Sequence, residues 1–254
     1  MEQKWPQQIW LVRHGQSAGN VAREAATAAN GLLIDIAERD VDVPLSELGR
    51  RQSAALAEWF CDLAPEQRPN VVLYSPYLRA RATAQAVLHR LGRDALLASV
   101  ADERLREKEF GITDRLTTLG IAHKYPELAE QRKHVGKFYF RPPGGESWCD
   151  VILRLRSVLD TITREYRRER VLIVGHQVIV NCFRYLFERL DESAILTIDR
   201  AADVPNCGVT SYRFEPQAGP RGKLVLDLEN FVAPLEQSGT PVTARPDLPA
   251  APKP

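Results

Sequence analysis

Short apolar runs and longer amphipathic stretches alternate along the chain. Ile9–Val12 (IWLV), Val71–Tyr74 (VVLY) and Val171–Val174 (VLIV) are four-residue apolar blocks that end at turn-forming residues, the signature of strands buried on both faces. Each runs toward a helical pattern. Ser46 precedes ELGRRQSAALAEWF and reads as its N-cap. Ser75-Pro76 opens a helix through about Leu91, with proline in the first turn. Trp148–Arg168 carries Val151, Leu155, Val158, Leu159 and Ile162 at helical spacing, and an apolar helix is expected from Gln177 to Leu190. Val209–Phe214 and Lys223–Leu228 read as two closing, antiparallel strands. Strand followed by helix, repeated, predicts an α/β fold of three layers, with a mostly parallel central sheet and helices on both faces.

Two segments do not follow this rhythm. Val21–Val43 holds AREAATAANG and then LLIDIAERD, and reads either as an ordinary helix and loop or as a lid. Residues 234–254 contain six prolines and no periodicity. They are expected to form a disordered tail without a part in the chemistry, leaving 1–233 as the domain.

On such sheets ligands bind beyond the carboxyl ends of the strands. Arg13-His14-Gly15 follows the first block, Ser75 to Arg79 follows the second, and Gly175-His176-Gln177 follows the third. Singly, each has an ordinary structural explanation. Together they bring two guanidinium forks and two imidazoles to one sheet edge, a set suited to a phosphoryl group. Imidazole can attack phosphorus through one nitrogen while the other is held as a donor.

The set of motifs resembles the histidine phosphatase superfamily, also called phosphoglycerate mutase-like. LVRHGQSAGN is similar to its nucleophile motif, SPYLRARATAQA to its second-arginine motif, and RLREKEFG to the segment carrying its acid. DVPLSELGRRQ, PPGGES and VLIVGHQ complete the order, from about Ile9 to Phe214. The resemblance implies His14 as nucleophile, Arg13 and Arg79 as phosphoryl clamps, and His176 as a further donor. It implies Asn20 and Gly15 as phosphate contacts. Residue chemistry alone leaves Glu103, Glu107 and Glu109 open as the acid; the motif register implies Glu107. Between Glu107 and His176 the chain is most similar to the fructose-2,6-bisphosphatase branch, which implies Arg132, Lys137 and Gln177 as substrate contacts. It departs from that branch at Thr118, Trp148 and Asn181, positions that grip the distal phosphate and sugar there.

Composition adds bounds. Thirty-four Lys+Arg against 33 Asp+Glu give a net charge of +1, so no global field favours nucleic acid or an anionic membrane. The four cysteines include no CxxC pair, and His, Cys, Asp and Glu show no metal-ligand spacing. No metal or cofactor is therefore expected. No signal peptide or membrane-spanning run is visible, so a cytoplasmic protein is expected. The expected function is hydrolysis of a small phosphorylated metabolite, such as a sugar phosphate, through phospho-His14. A phosphoglycerate mutase and a catalytically silent phospho-ligand module are the competing readings.

Overall fold

The computed structural model describes residues 3–244. Six strands form one mixed sheet: β1 (Gln8–Arg13), β2 (Val71–Tyr74), β3 (Ala98–Ala101), β4 (Arg170–Gly175), β5 (Val209–Glu215) and β6 (Lys223–Phe231), in the order β3-β2-β4-β1-β5-β6. Strands β1 to β4 pair in parallel, whereas β5 and β6 run antiparallel. The helices are α1 (Ala18–Ala28), α2 (Glu47–Asp62), α3 (Leu78–Leu91), α4 (Thr118–Lys124), α5 (Pro126–Val135), α6 (Trp148–Glu165), α7 (Gln177–Glu188), α8 (Glu192–Ala201) and α9 (Ala233–Gln237).

Alternation along the strands splits the core in two. Ile9, Leu11, Val71, Leu73, Val171 and Ile173 pack with the apolar stripes of α6 and α7. Trp10, Val12, Val72, Leu172 and Val174 face α2 and α3. Each fully buried Leu, Ile or Val contributes roughly 1.5–3 kcal/mol of transfer free energy. The three-layer expectation thus rests on the two side-chain directions of a pleated strand. Among the described residues no helix is long and apolar enough to cross a membrane.

Helix starts follow the local chemistry. Ser46 Oγ accepts from Gly49 N at 3.0 Å and caps α2. Ser147 and Asp150 form a capping box on α6. The start of α3 differs from expectation: the helix begins at Leu78, not at Ser75-Pro76. Ser75 precedes a proline, which disfavours helical geometry at that position. Its Oγ instead lies 2.8 Å from His176 Nε2 and accepts from Tyr77 N at 3.3 Å. The strand β3 and the helices α4, α5 and α8 were not anticipated; β3 is exposed and carries no apolar alternation.

The expected domain boundary at residue 234 is also corrected. Pro234 and Leu235 in α9 are buried, and Leu235 joins the core beside α2. Beyond it, Gln52 Nε2 donates to Pro241 O (2.9 Å) and to Thr243 Oγ1 (3.0 Å). Asn206 N donates to Thr243 O at 2.8 Å. Proline content signalled only the absence of long regular structure; one buried leucine and a few hydrogen bonds dock the irregular strap 240–244. Residues 245–254 lie outside the described residues. Leu235→Ala should lower unfolding free energy by about 2–5 kcal/mol in a urea titration, where a dispensable tail would give none.

Candidate active site

Parallel pairing aligns the strand ends. Arg13 lies opposite Gly175, and Tyr74 opposite Val174, so the residues that follow β1, β2 and β4 emerge at one edge. The His14 and His176 rings stand edge to face with centroids 5.2 Å apart, and both residues are fully buried.

The loop after β1 is braced from behind. Gly15 N donates to Thr83 Oγ1 (3.1 Å), and Gln16 N donates to Gln52 Oε1 (2.8 Å). A Cβ on Gly15 would lie 2.5 Å from Gly49 O, so only glycine lets this loop approach α2 so closely. Asn206 Nδ2 donates to His14 O at 2.9 Å. His14 Nδ1 lies 2.7 Å from Gly15 O, an acceptor, and therefore carries the ring proton. That leaves Nε2 as the basic nitrogen, and Arg79 Nε points at it from 3.2 Å. Arg13, fully buried, donates from Nη1 to Val204 O at 2.6 Å.

Glu107 follows a short 3₁₀ turn, Glu103–Leu105, whose Leu105 is buried in the core. Its side chain is fully buried, Oε1 accepts from Lys108 N at 2.7 Å, and Oε2 lies 3.8 Å from His176 Nδ1. Its main-chain carbonyl accepts from Arg154 Nη2 at 3.2 Å. Arg154 in turn pairs with Glu146 (2.9 Å), which also accepts from Arg106 (2.9 Å) and from Glu109 N (3.0 Å). Burial disfavours ionisation of Glu146, but the Arg154 hydrogen bond and charge outweigh it and hold the carboxyl below its usual range. Glu109, an open candidate for the acid, sits instead at the rim, accepting from Tyr77 Oη at 3.0 Å.

The remaining expected contacts divide. Asn20 Oδ1 accepts from Ser17 N and Oγ, closing the capping box of α1. Gly15 shapes the loop, since its N–H is directed to Thr83 rather than to the pocket. Gln177 donates to Asp203 Oδ1 at 3.0 Å. Lys137 pairs with the buried Asp199 and lies over Trp148, whose ring centroid is 5.3 Å away. Asn181 Nδ2 approaches the same Asp199 at 3.4 Å. Arg132 lies at the end of α5, 5.9 Å from the Phe140 ring centroid; burial brings its pKa down to about 10, against the pull of Asp199.

Sequence reasoning missed Lys108, Ser75, Glu146, Arg154 and Asn206. Lys108 is buried over Phe110, and no ion pair to its Nζ is present among the described residues. Burial first, and then the nearby charge of Arg132, lower its pKa to about 8. The only sequence cue was that it follows the candidate acid directly.

Residues 9–224, nearly the whole of the described fold, match a single family pattern, that of the histidine phosphatase superfamily (branch 1). The chain belongs to this superfamily. It is 33% identical over 223 residues to a 6-phosphofructo-2-kinase/fructose-2,6-bisphosphatase of Caenorhabditis elegans, covering 84% of this chain and 43% of that protein. It is 30% identical over 181 residues to the phosphoglycerate mutase-like protein AT74H of Arabidopsis thaliana, covering 68% of this chain and 57% of the relative. The chain thus spans about half the length of these curated relatives. Among solved structures it is similar to a mycobacterial glucosyl-3-phosphoglycerate phosphatase in complex with inorganic phosphate, at TM-score 0.66 and 23% identity, covering 90% of this chain and 99% of that one. At that identity the likeness is one of fold. Within this superfamily member, the Glu146–Arg154 pair is what holds the Glu107 loop.

Glu146→Gln should therefore lower stability by about 1–3 kcal/mol at neutral pH. A depressed carboxylate stabilises the fold above its unfolded pKa, near 4.3, and that contribution is lost as pH falls through the folded value. The gap between variant and parent in denaturant titrations should hold at neutral pH and narrow progressively as pH falls below about 4.3.

Proposed function

We propose that this histidine phosphatase superfamily member hydrolyses a small phosphomonoester through a phosphohistidine on His14, without a metal ion. The observation that carries the reading is the His14 imidazole: Nδ1 is tied to Gly15 O, and Nε2 is turned to Arg79 beside His176. In the first step His14 Nε2 forms a bond to phosphorus as the ester P–O bond breaks. Arg13, Arg79 and His176 take up charge on the phosphoryl oxygens. Glu107 gives its proton to the departing oxygen. In the second step water attacks phosphorus, yields a proton to Glu107, and the N–P bond breaks to release phosphate.

The part of the substrate that does not react faces Lys108, Arg132, Lys137 and Gln177. Lys137 is already paired with Asp199, so Lys108 and Arg132 supply the attraction. This favours a substrate with hydroxyls and one further anionic group, of the sugar-phosphate or sugar-acid kind. Fructose-2,6-bisphosphatase and glucosyl-3-phosphoglycerate phosphatase, the named activities of similar proteins, bracket this class.

His14→Ala should abolish phosphate release, and EDTA should leave the parent's rate unchanged; turnover surviving the substitution would overturn the reading. Glu107→Gln should lose about 10²–10⁴-fold in kcat on a sugar phosphate. The loss should be smaller on p-nitrophenyl phosphate, whose leaving group is stable as an anion. Conversion of 3-phosphoglycerate to 2-phosphoglycerate, dependent on bisphosphoglycerate primer, would decide instead for a mutase.

Lys108 makes a separate prediction. Its ammonium should deprotonate around pH 8, so KM for an anionic sugar phosphate should rise between pH 7 and 9. Lys108→Met should raise KM at pH 7 and flatten that rise, while p-nitrophenyl phosphate shows neither effect.

A further inference from the structure

The segment left open as loop or lid delivers one side chain to the site. After α1 the chain runs across residues 29–39 to a single 3₁₀ turn, Asp40–Asp42. Among the bonds that hold its course, Thr117 Oγ1 donates to Gly31 O (2.7 Å), Thr117 N to Leu32 O (3.1 Å), Ile34 N to Arg115 O (2.8 Å), and Arg115 Nη2 to Glu38 O (2.8 Å). Asp40 then meets Arg79. Arg79 Nη1 donates to the Asp40 main-chain oxygen at 2.5 Å and lies 3.0 Å from its Oδ1. Arg79 Nη2 donates to Oδ2 at 3.2 Å.

A carboxylate on a guanidinium that serves a phosphate site could act in two ways. It could occupy the phosphate's place and compete with substrate. Or it could hold the guanidinium so that another edge faces the substrate. The contacts discriminate. Asp40 grips the end of the fork formed by Nη1 and Nη2, whereas His14 Nε2 is met by Nε. Guanidinium is planar and rigid, so fixing the Nη1–Nη2 end also fixes the direction of Nε–H. The Tyr77 ring, 5.2 Å from Arg79 Cζ, covers a face of the same plane. The Arg79 side chain is 3% exposed and that of Asp40 33% exposed, so the pair joins a buried guanidinium to a partly solvated carboxylate.

We propose that Asp40 is a positioning residue that aims Arg79 at the phosphoryl group on His14; this rests on the proposed phosphatase reading. A misplacement of about 1 Å in such a clamp can cost on the order of 100-fold in rate. The carboxylate has a further effect. It balances the charge of the buried arginine from the Nη1–Nη2 end, while Nε stays directed at His14. Two neighbouring groups register its charge: burial and then Asp40 raise the Asp114 pKa, and burial, Glu109 and then Asp40 raise that of Tyr77.

The test compares parent, Asp40→Asn and Asp40→Ala in p-nitrophenyl phosphate kinetics and in orthovanadate binding by calorimetry. Asp40→Ala should lose about 10–100-fold in kcat and bind vanadate correspondingly more weakly, with KM changing less than kcat. Asp40→Asn keeps one acceptor and should fall between. Equal kcat and equal vanadate affinity in all three would overturn the assignment. Tighter vanadate binding by Asp40→Ala would also overturn it, in favour of a competing carboxylate. If the parent shows no turnover yet vanadate binding still follows Asp40, the hydrolase reading fails and the positioning role stands.

Discussion

The site depends on the register of β1 against β4. Arg13 opposite Gly175 sets His14 and His176 at the same height on adjacent strands. Parallel strands place both residues at carboxyl ends, and the pleat fixes which way each side chain leaves the sheet. A slip of one residue would turn Leu11 and Ile173 from the α6 and α7 side to the α2 and α3 side. It would move His14 away from its partner at the same time. The two apolar cores that hold the register are therefore also what sets the 5.2 Å spacing of the imidazoles. Stability and site geometry are one constraint here.

Charge is arranged around that constraint. The chain is nearly neutral, yet Arg79 meets His14, and Lys108, Arg132 and Lys137 lie close enough to act on one another's charge. Burying like charges together is costly unless each is partnered. Arg79 has Asp40, Lys137 has Asp199, and Arg106 and Arg154 share Glu146. The anion that such a pocket recruits is then met by oriented N–H groups more than by raw excess charge. This explains why a net charge of +1 could not forecast the pocket: the balancing carboxylates are counted in the total but stand behind the cations.

Which parts were legible in the sequence follows from range. Val71–Tyr74 and the Ser46 cap were readable because a buried apolar block and a capping hydroxyl act within a few residues. The His14, Arg79 and His176 grouping was readable because strand ends in a parallel sheet share an edge. Asp40 was not, since its partner lies 39 residues away and no local pattern marks it. Asn206 was hidden likewise: it bonds His14 O across 192 residues. Gly15 and Asn20 were found by motif, but the motif does not tell a ligand contact from a loop-shaping one. In the structure Gly15 is tight against Gly49, and the Asn20 carbonyl oxygen caps a helix. The strap at 240–244 was misread because proline-rich composition reports on regular structure, not on docking.

That strap extends the argument to the back of the nucleophile loop. Thr243 Oγ1 donates to Asn206 Oδ1 at 2.9 Å, and Asn206 passes its own N–H to His14 O. Gln52 accepts from Gln16 N on one side and donates to Pro241 and Thr243 on the other. An amide side chain swivels readily about its last torsion, so its orientation is set by which partners it finds. With strap partners on one side, Asn206 and Gln52 can present only the complementary atom to the His14–Gln16 loop. The carbonyl of Gly15, which fixes the His14 tautomer, is carried by this same loop. Residues 241–243 therefore reach the reactive nitrogen through two amides and one backbone turn.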